Sequence, residues 1–412
     1  MTVKGALGTK TGMPWKVTEP MQERIKFIEE WLTKRLTMVD LCRKYGVTRK
    51  TGYKWVQRFK DGGTPSLCDA SRAPLVHPNA TDESMVELVI GMRRRHPRWG
   101  PKKLRARLLQ QGYHPPAAST IGGILRREGL VGAKRRRPRP GCYADGLSPQ
   151  DQPNALWAAD FKGHFKLKDG RKCYPLTISD GYSRFFLRCE ALEHPDEMSS
   201  FDVFDAAFCE YGLPLVMRTD NGVPFSARYG ISALSAWWVE LGVRPERIAR
   251  GKPTQNGRHE RLHRTLKLEA IQSEGPKRNF WQQQRVFDRF RKEYNEERPH
   301  EALGLQTPAA FYETSSRPYP VKAREPEYAD DVLVYRVKRD GGIVHEGHEL
   351  FISSVLKGKP VGLSKQDDDS WCIHFGPLFL GSVSPTGRIT RGRKPRRRGR
   401  GPNDEITTIA NT

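Results

Sequence analysis

The chain predicts a multidomain protein: all-α units first, an α/β segment in the middle and a small all-β segment at the end. Three observations carry this. Apolar residues recur at helical spacing through the first third, short apolar runs alternate with helical patterns from Leu156 to Tyr294, and closely spaced strand-like runs follow Pro326. With 37% apolar residues in 412, there is enough material to bury several cores.

In the first segment, Ile25, Ile28, Trp31 and Leu32 share a helical face. A second helix follows Thr37, carries Leu41 and Tyr45, and stops at Gly46. A third begins after Thr48, a suitable N-cap, and buries Trp55, Val56 and Phe59. Its other side offers Arg49, Lys50, Tyr53, Lys54 and Arg58, and a basic third helix after a glycine turn is the plan of a helix-turn-helix. The plan recurs from Thr81 to Val131. Met85, Leu88, Val89 and Met92 form a stripe, Pro101 sits where a helix start tolerates proline, and a helix after Ser119 carries Arg126 and Arg127. The basic run Lys134–Arg139 reads as a linker that tracks phosphates.

In the middle segment, strands are expected at Leu156–Phe161, Cys173–Ile178 and Ser183–Cys189, then a helix over Phe201–Tyr211. A strand ending near Asp220, a helix over Ile231–Leu241, a strand over Val243–Ile248 and helices over Gln255–Ile271 and Trp281–Tyr294 complete a mixed-sheet α/β order. Beyond it, runs at Val332–Val337, Leu350–Ile352, Val361–Leu363, Trp371–Phe375 and Leu378–Leu380 suggest a small barrel, and the Arg-rich stretch from Arg388 to Arg400 a disordered tail.

Charge narrows the partner. Lys and Arg number 71 against 47 Asp and Glu, leaving +24, which argues against a neutral metabolic enzyme and for a polyanion such as nucleic acid. No apolar run is long enough for a membrane span, and Met1–Pro14 has no signal-peptide core. Seven scattered cysteines without a C-x-x-C pair predict reduced thiols in a cytoplasmic chain.

Three acids stand out. Asp160 lies among strand formers, where a charge is costly without a partner. Asp220 ends a strand before Asn221-Gly222, and Glu260 shares a helix face with Arg264 and Lys267, with Leu262 and Leu266 opposite. With 47 acids, some such triple is certain to exist, so spacing alone says little. The surrounding residues say more. Trp157-Ala158-Ala159-Asp160-Phe161-Lys162-Gly163, Arg218-Thr219-Asp220-Asn221-Gly222 and Asn256-Gly257-Arg258-His259-Glu260-Arg261 resemble the three acidic motifs of the integrase-like insertion-sequence transposases. Tyr294-Asn295 with Arg298-Pro299-His300 and Leu303, then Thr307-Pro308, is similar to the segment after that core in bacterial members.

The resemblance implies a ribonuclease H-like catalytic core with Asp160, Asp220 and Glu260 as catalytic residues and ligands of two Mg²⁺ ions, Mn²⁺ being able to substitute. It implies binding of the terminal inverted repeats of a mobile element, hydrolysis at the ends, and joining of the 3′-OH to target double-stranded DNA by a homo-multimer at the bacterial nucleoid. Expected DNA contacts are Arg49, Lys50, Tyr53, Lys54, Arg126 and Arg127 for bases, and Arg264 and Lys267 for phosphates near the metal ions. His164, at i+4 from Asp160, and His259 are read as supporting residues, and Asp180 as a turn residue outside the triad. Expected domains are 15–65 and 78–132 (helix-turn-helix), 133–153 (linker), 154–312 (core), 328–385 (barrel) and 386–412 (tail). Two other classes stay open: a catalytically silent DNA-binding regulator, and a plain Mg²⁺-dependent nuclease.

Overall fold

The structure is a computed structural model that describes residues 20–69, 80–132, 146–226, 230–249 and 251–391. It divides into two compact units, residues 1–80 and 81–412. In the first, α1 (Pro20–Leu32), α2 (Met38–Tyr45) and α3 (Arg49–Gly62) enclose Phe27, Ile28, Leu41, Trp55 and Val56. Thr37 and Thr48 cap α2 and α3 through their side chains, and Gly46 ends α2 in the left-handed region with φ 66°.

The second unit opens with α4 (Glu83–Arg95), α5 (Pro101–Gln110) and α6 (Ala118–Arg127), packed around Val89, Trp99, Leu104, Leu108, Ile121 and Leu125. These three helices are tied to residues nearly 200 positions later in the chain. His96 Nδ1 lies 2.9 Å from Glu293, and Arg107 donates to Glu297 at 2.8 Å across 190 residues.

The α/β layer contains β1 (Leu156–Phe161), β2 (Phe165–Lys166), β3 (Lys172–Asp180), β4 (Phe186–Leu192), α7 (Glu197–Tyr211), β5 (Val216–Thr219), α8 (Ala233–Glu240) and β6 (Arg244–Arg247). Then come α9 (Gly257–Leu266), which continues through a π turn (Lys267–Ile271) into α10 (Gln272–Glu274), and α11 (Phe280–Lys292). The sheet is mixed. β1 runs antiparallel to β3 and parallel to β5, β6 runs parallel to β5, and β4 pairs with β3. One face packs Trp157, Ala159, Leu176 and Ile178 against α7 and α8; the other packs Cys173, Phe186 and Cys189 against Leu262 and Leu266 of α9 and Phe287 and Phe290 of α11.

β4 begins at Phe186, later than the expected Ser183, because Asp180 accepts hydrogen bonds from the backbone of Tyr182 and Ser183 and from the Ser183 hydroxyl, which pins a turn there. That supports the structural reading of Asp180. His164 is not on β1, which ends at Phe161; it is exposed beyond the strand and packs against Tyr174.

The last segment holds β7 (Leu333–Arg336), β8 (Gly342–His345), β9 (His348–Phe351), β10 (Pro360–Lys365), β11 (Trp371–Phe375), β12 (Leu378–Val383) and β13 (Ile389–Thr390). In place of the expected closed barrel, five strands form an open sheet in the order β13-β12-β11-β10-β7, with β8 and β9 as a separate hairpin. The expected disordered tail also starts too early. Ile389 and Thr390 pair with β12, and Arg391 donates to the carbonyls of Phe351 and Ile352. Its remainder, and the basic run Lys134–Arg139, lie outside the described residues. No disulfide joins the six described cysteines to one another, and no described helix is long and apolar enough to cross a membrane.

Candidate active site

Strand alternation decides what faces α9. On β1, Trp157 and Ala159 enter the core beneath α7 and α8, so Asp160 points to the opposite face. Its register partner on β3 is Thr177, and Ser179 pairs with Ala158, so the two hydroxyls and the carboxylate share that face. Helix α9 lays His259 and His263, one turn apart, over them.

The Thr177 hydroxyl can donate to the Asp160 carbonyl at 2.9 Å, and its oxygen then accepts from Nε2 of His259 at 2.7 Å and of His263 at 2.6 Å. Ser179 Oγ is 2.8 Å from His259 Nδ1. With its Nε2 proton so engaged, His263 turns an unprotonated Nδ1 toward Asp160 Oδ2, 3.6 Å away. Burial holds His259 down to about 3 and His263 well below its ordinary value, so both rings are neutral near pH 7. They offer the Asp160 carboxylate no proton; what they hold is Thr177, which in turn ties the Asp160 backbone carbonyl.

Asp220 follows β5 directly, where the strand stops in front of Asn221 and Gly222. Its carboxylate accepts from the Gly222 amide at 2.9 Å, and Asn221 donates to the Ile248 carbonyl at 2.7 Å, tying the turn to the residue beyond β6. A β-carbon on Gly222 would stand 3.1 Å from that carboxylate, so the glycine lets the turn fold tightly over Asp220. Glu260 lies in the first turn of α9, exposed, and Arg264 and Lys267 are exposed farther along, while Leu262 and Leu266 are buried as the periodicity predicts.

The three acids come near enough to interact. Burial first, then the charges of Asp220 and Glu260, push the Asp160 carboxyl up to about 7. The cluster is negative and open at Glu260. Among the described residues no three His, Cys, Asp or Glu converge closely enough to form a ready-made metal cage. A buried carboxylate on which two other carboxylates act, with Lys162 as a nearby cation, has the oxygen donors that a hard divalent cation prefers.

Of the expected base-reading residues, Arg49, Lys50, Tyr53 and Lys54 are all exposed on α3. Arg126 and Arg127 are exposed too, but in the last turn of α6, whereas helix-turn-helix readers contact bases from the start of that helix, here Ser119 and Thr120. Sequence reasoning passed over His263 and Arg184. His263 had a signal: two histidines at i, i+4 on the buried side of a helix. Arg184 had none, because its surroundings are assembled from distant segments.

Integrase core domain profiles match residues 150–253 and 241–308, a helix-turn-helix domain profile matches 23–74, and a homeodomain-like profile matches 51–125. The chain is therefore an integrase-core protein carrying helix-turn-helix segments. Two curated relatives narrow this further. It is 28% identical over 236 residues to the insertion element IS407 uncharacterized 31.7 kDa protein of Burkholderia multivorans, covering 57% of this chain and 82% of that one. It is 27% identical to the insertion element IS476 uncharacterized 39.2 kDa protein of Xanthomonas euvesicatoria, covering 57% and 66%. The domain matches and these two relatives support the resemblance to integrase-like transposases of insertion elements. Among solved structures, a simian T-cell lymphotropic virus intasome in complex with a PP2A regulatory subunit matches at 16% identity and TM-score 0.36, covering 73% of this chain and 99% of that one.

Proposed function

We propose that the protein binds the ends of its own mobile element, hydrolyses a strand there, and joins the freed 3′-OH to target DNA by transesterification. The observation that carries this reading is the placing of Asp160 on the α9-facing side of β1, with Asp220 just beyond the neighbouring parallel strand β5 and Glu260 in the first turn of α9. In this reading those three carboxylates would hold two Mg²⁺ ions, which when bound would supply charge to stabilise oxygen anions at the reacting phosphate. The chain's own residues do the rest. Thr177, braced by His259 and His263, holds the Asp160 backbone in place, Gly222 keeps the Asp220 turn tight, and Arg264 and Lys267 fix phosphates along α9. Arg49, Lys50, Tyr53 and Lys54 read the terminal inverted repeats from the major groove, and Arg126 and Arg127 support the second unit on the backbone.

The work takes place on double-stranded DNA in the bacterial cytoplasm, and pairing two ends requires a homo-multimer. Residues 154–312 act as the catalytic core, and the helical segments bring the ends to it. Incubation with labelled element ends, target DNA and Mg²⁺ decides. Joined products support transposition; cleavage without joining points to a nuclease, and binding alone to the regulator.

A further inference from the structure

Beside Glu260 lies a cavity of about 520 Å³ between the β3–β4 turn and the start of α9. Arg184, Arg258 and Arg261 all line it. Its fourth arginine, Arg218, is spoken for: it is paired with Glu246 at 2.9 Å and donates to the Ser148 carbonyl at 3.1 Å. Arg258 donates to the Gly181 carbonyl and to Gln150, each at 2.7 Å, which anchors its guanidinium in the wall.

Arg184 is different. It sits half-buried in the turn with φ 66°, a backbone conformation that a large side chain adopts at some cost. Among the described residues it has no carboxylate within ion-pair distance and no hydrogen-bond partner. The nearest acid in its own turn, Asp180, is already saturated by the amides of Asn154, Tyr182 and Ser183 and the Ser183 hydroxyl. Burial and the positive charges of Arg258 and Arg261 lower the Arg184 pKa to about 10, which is the signature of a cation lacking its anion. The ten-residue helix α9 starts in the same cavity, adding the positive end of its dipole.

We propose that this cavity is a phosphodiester site, in which Arg184, Arg258 and Arg261 grip one backbone phosphate of the DNA strand whose neighbouring phosphate lies at the carboxylates. The inference rests on the DNA-processing reading above. The volume admits a phosphate with its sugar and not a duplex, so the group gripped belongs to a single strand at the end being processed. Arg264 and Lys267 lie farther along the chain from the start of α9, so a strand gripped at the start of the helix as well would be fixed at two points, and such positional restraint speeds a reaction.

The test uses the full chain without divalent metal and a fluorescent duplex carrying the terminal repeat read from the DNA flanking the gene. Single methylphosphonates replace each phosphate of one strand in turn. Wild type should lose affinity roughly five- to twentyfold at one position near the end, as expected for a charge-assisted contact. Arg184→Gln should lose a similar factor with unmodified DNA and be indifferent to the methylphosphonate at that position alone. Losses that add at every position, or wild-type affinity in Arg184→Gln, overturn the assignment. If Arg184→Gln melts early, Arg261→Gln on the exposed side of α9 takes its place in the same cycle, with the same outcomes. Inorganic phosphate that raises the melting temperature of wild type but not of the variant, with no methylphosphonate effect, would make this a free-anion site and overturn the DNA assignment. A protein that shows the expected cycle but never cuts the duplex would sink the proposed activity and leave this site standing.

Discussion

Ionising Asp160 at neutral pH works against its surroundings. Its carboxyl is pushed up to about 7 from 3.8, so between those values the folded chain holds more protons than the unfolded one, and stability falls as pH rises through that window. Asp160→Asn keeps the shape and removes the charge. It should raise the melting temperature in chelator at pH 7.5 by several degrees, with the gain vanishing near pH 4; equal melting at both pH values would refute it. The same variant, like Asp220→Asn and Glu260→Gln, should abolish cleavage and joining with end binding within about twofold of wild type. His259 has the opposite sign. Held down to about 3 from 6.5, it makes the fold lose stability as pH falls from 6.5 toward 3. His259→Gln should flatten that acid limb in a pH series of denaturant melts. The three acids were picked out by their flanking residues, because each sits in a short motif. His263 was legible only as half of a pair, and Arg184 not at all, since its environment joins Gly181, Arg258 and Tyr294 from separate parts of the chain.

At the scale of elements, helices read well wherever caps and periodicity agreed. Thr37, Gly46 and Thr48 delimit α2 and α3 as their chemistry predicts. What sequence could not show was how closely those helices approach. Gly52 on α3 is buried, and a β-carbon there would stand 2.6 Å from Cys42 Sγ on α2 and 3.1 Å from the Phe27 ring on α1. Gly52→Ala should therefore destabilise the first unit by about 1–3 kcal/mol, the usual cost of overpacking. It should also weaken DNA binding by tilting α3. Denaturant melts and footprinting check both, and unchanged stability would mean that the Cys42 and Met38 side chains simply give way. Short strands were harder: β8 and β13 carry too few residues for alternation to register.

For the whole molecule, sequence suggested a chain of small independent domains, and the structure gathers most of them into one unit. The second helical segment is bound to the α/β layer, through His96 with Glu293, Arg107 with Glu297, and the Arg298 guanidinium 6.0 Å from the Trp99 ring. Contacts between residues so far apart in the chain leave no local trace in composition or periodicity. A fragment ending at residue 80 should consequently unfold as a cooperative unit, while one ending at residue 139 should carry its second helical segment in a less protected state. Hydrogen exchange on the two fragments and the full chain measures this; full protection of residues 81–132 in the longer fragment would show that the docking contributes nothing.

Helix α8 faces two ways. Leu234 and Trp238 belong to the core of the mixed sheet, while Ile231 just before the helix, with Ala236 and Val239, belongs to the core of the C-terminal strands. Gly376 packs so closely that a β-carbon there would come within 2.7 Å of Val239, and Lys359 pairs with Glu240. Ser232 and Ser235 both donate to the Phe225 carbonyl, five residues beyond Asp220. The C-terminal strands thus act as a keel: a load placed on them passes through α8 to the loop that seats Asp220, so capture of DNA or of a second protomer by this outer sheet would be felt at the carboxylates without the sheet ever approaching them.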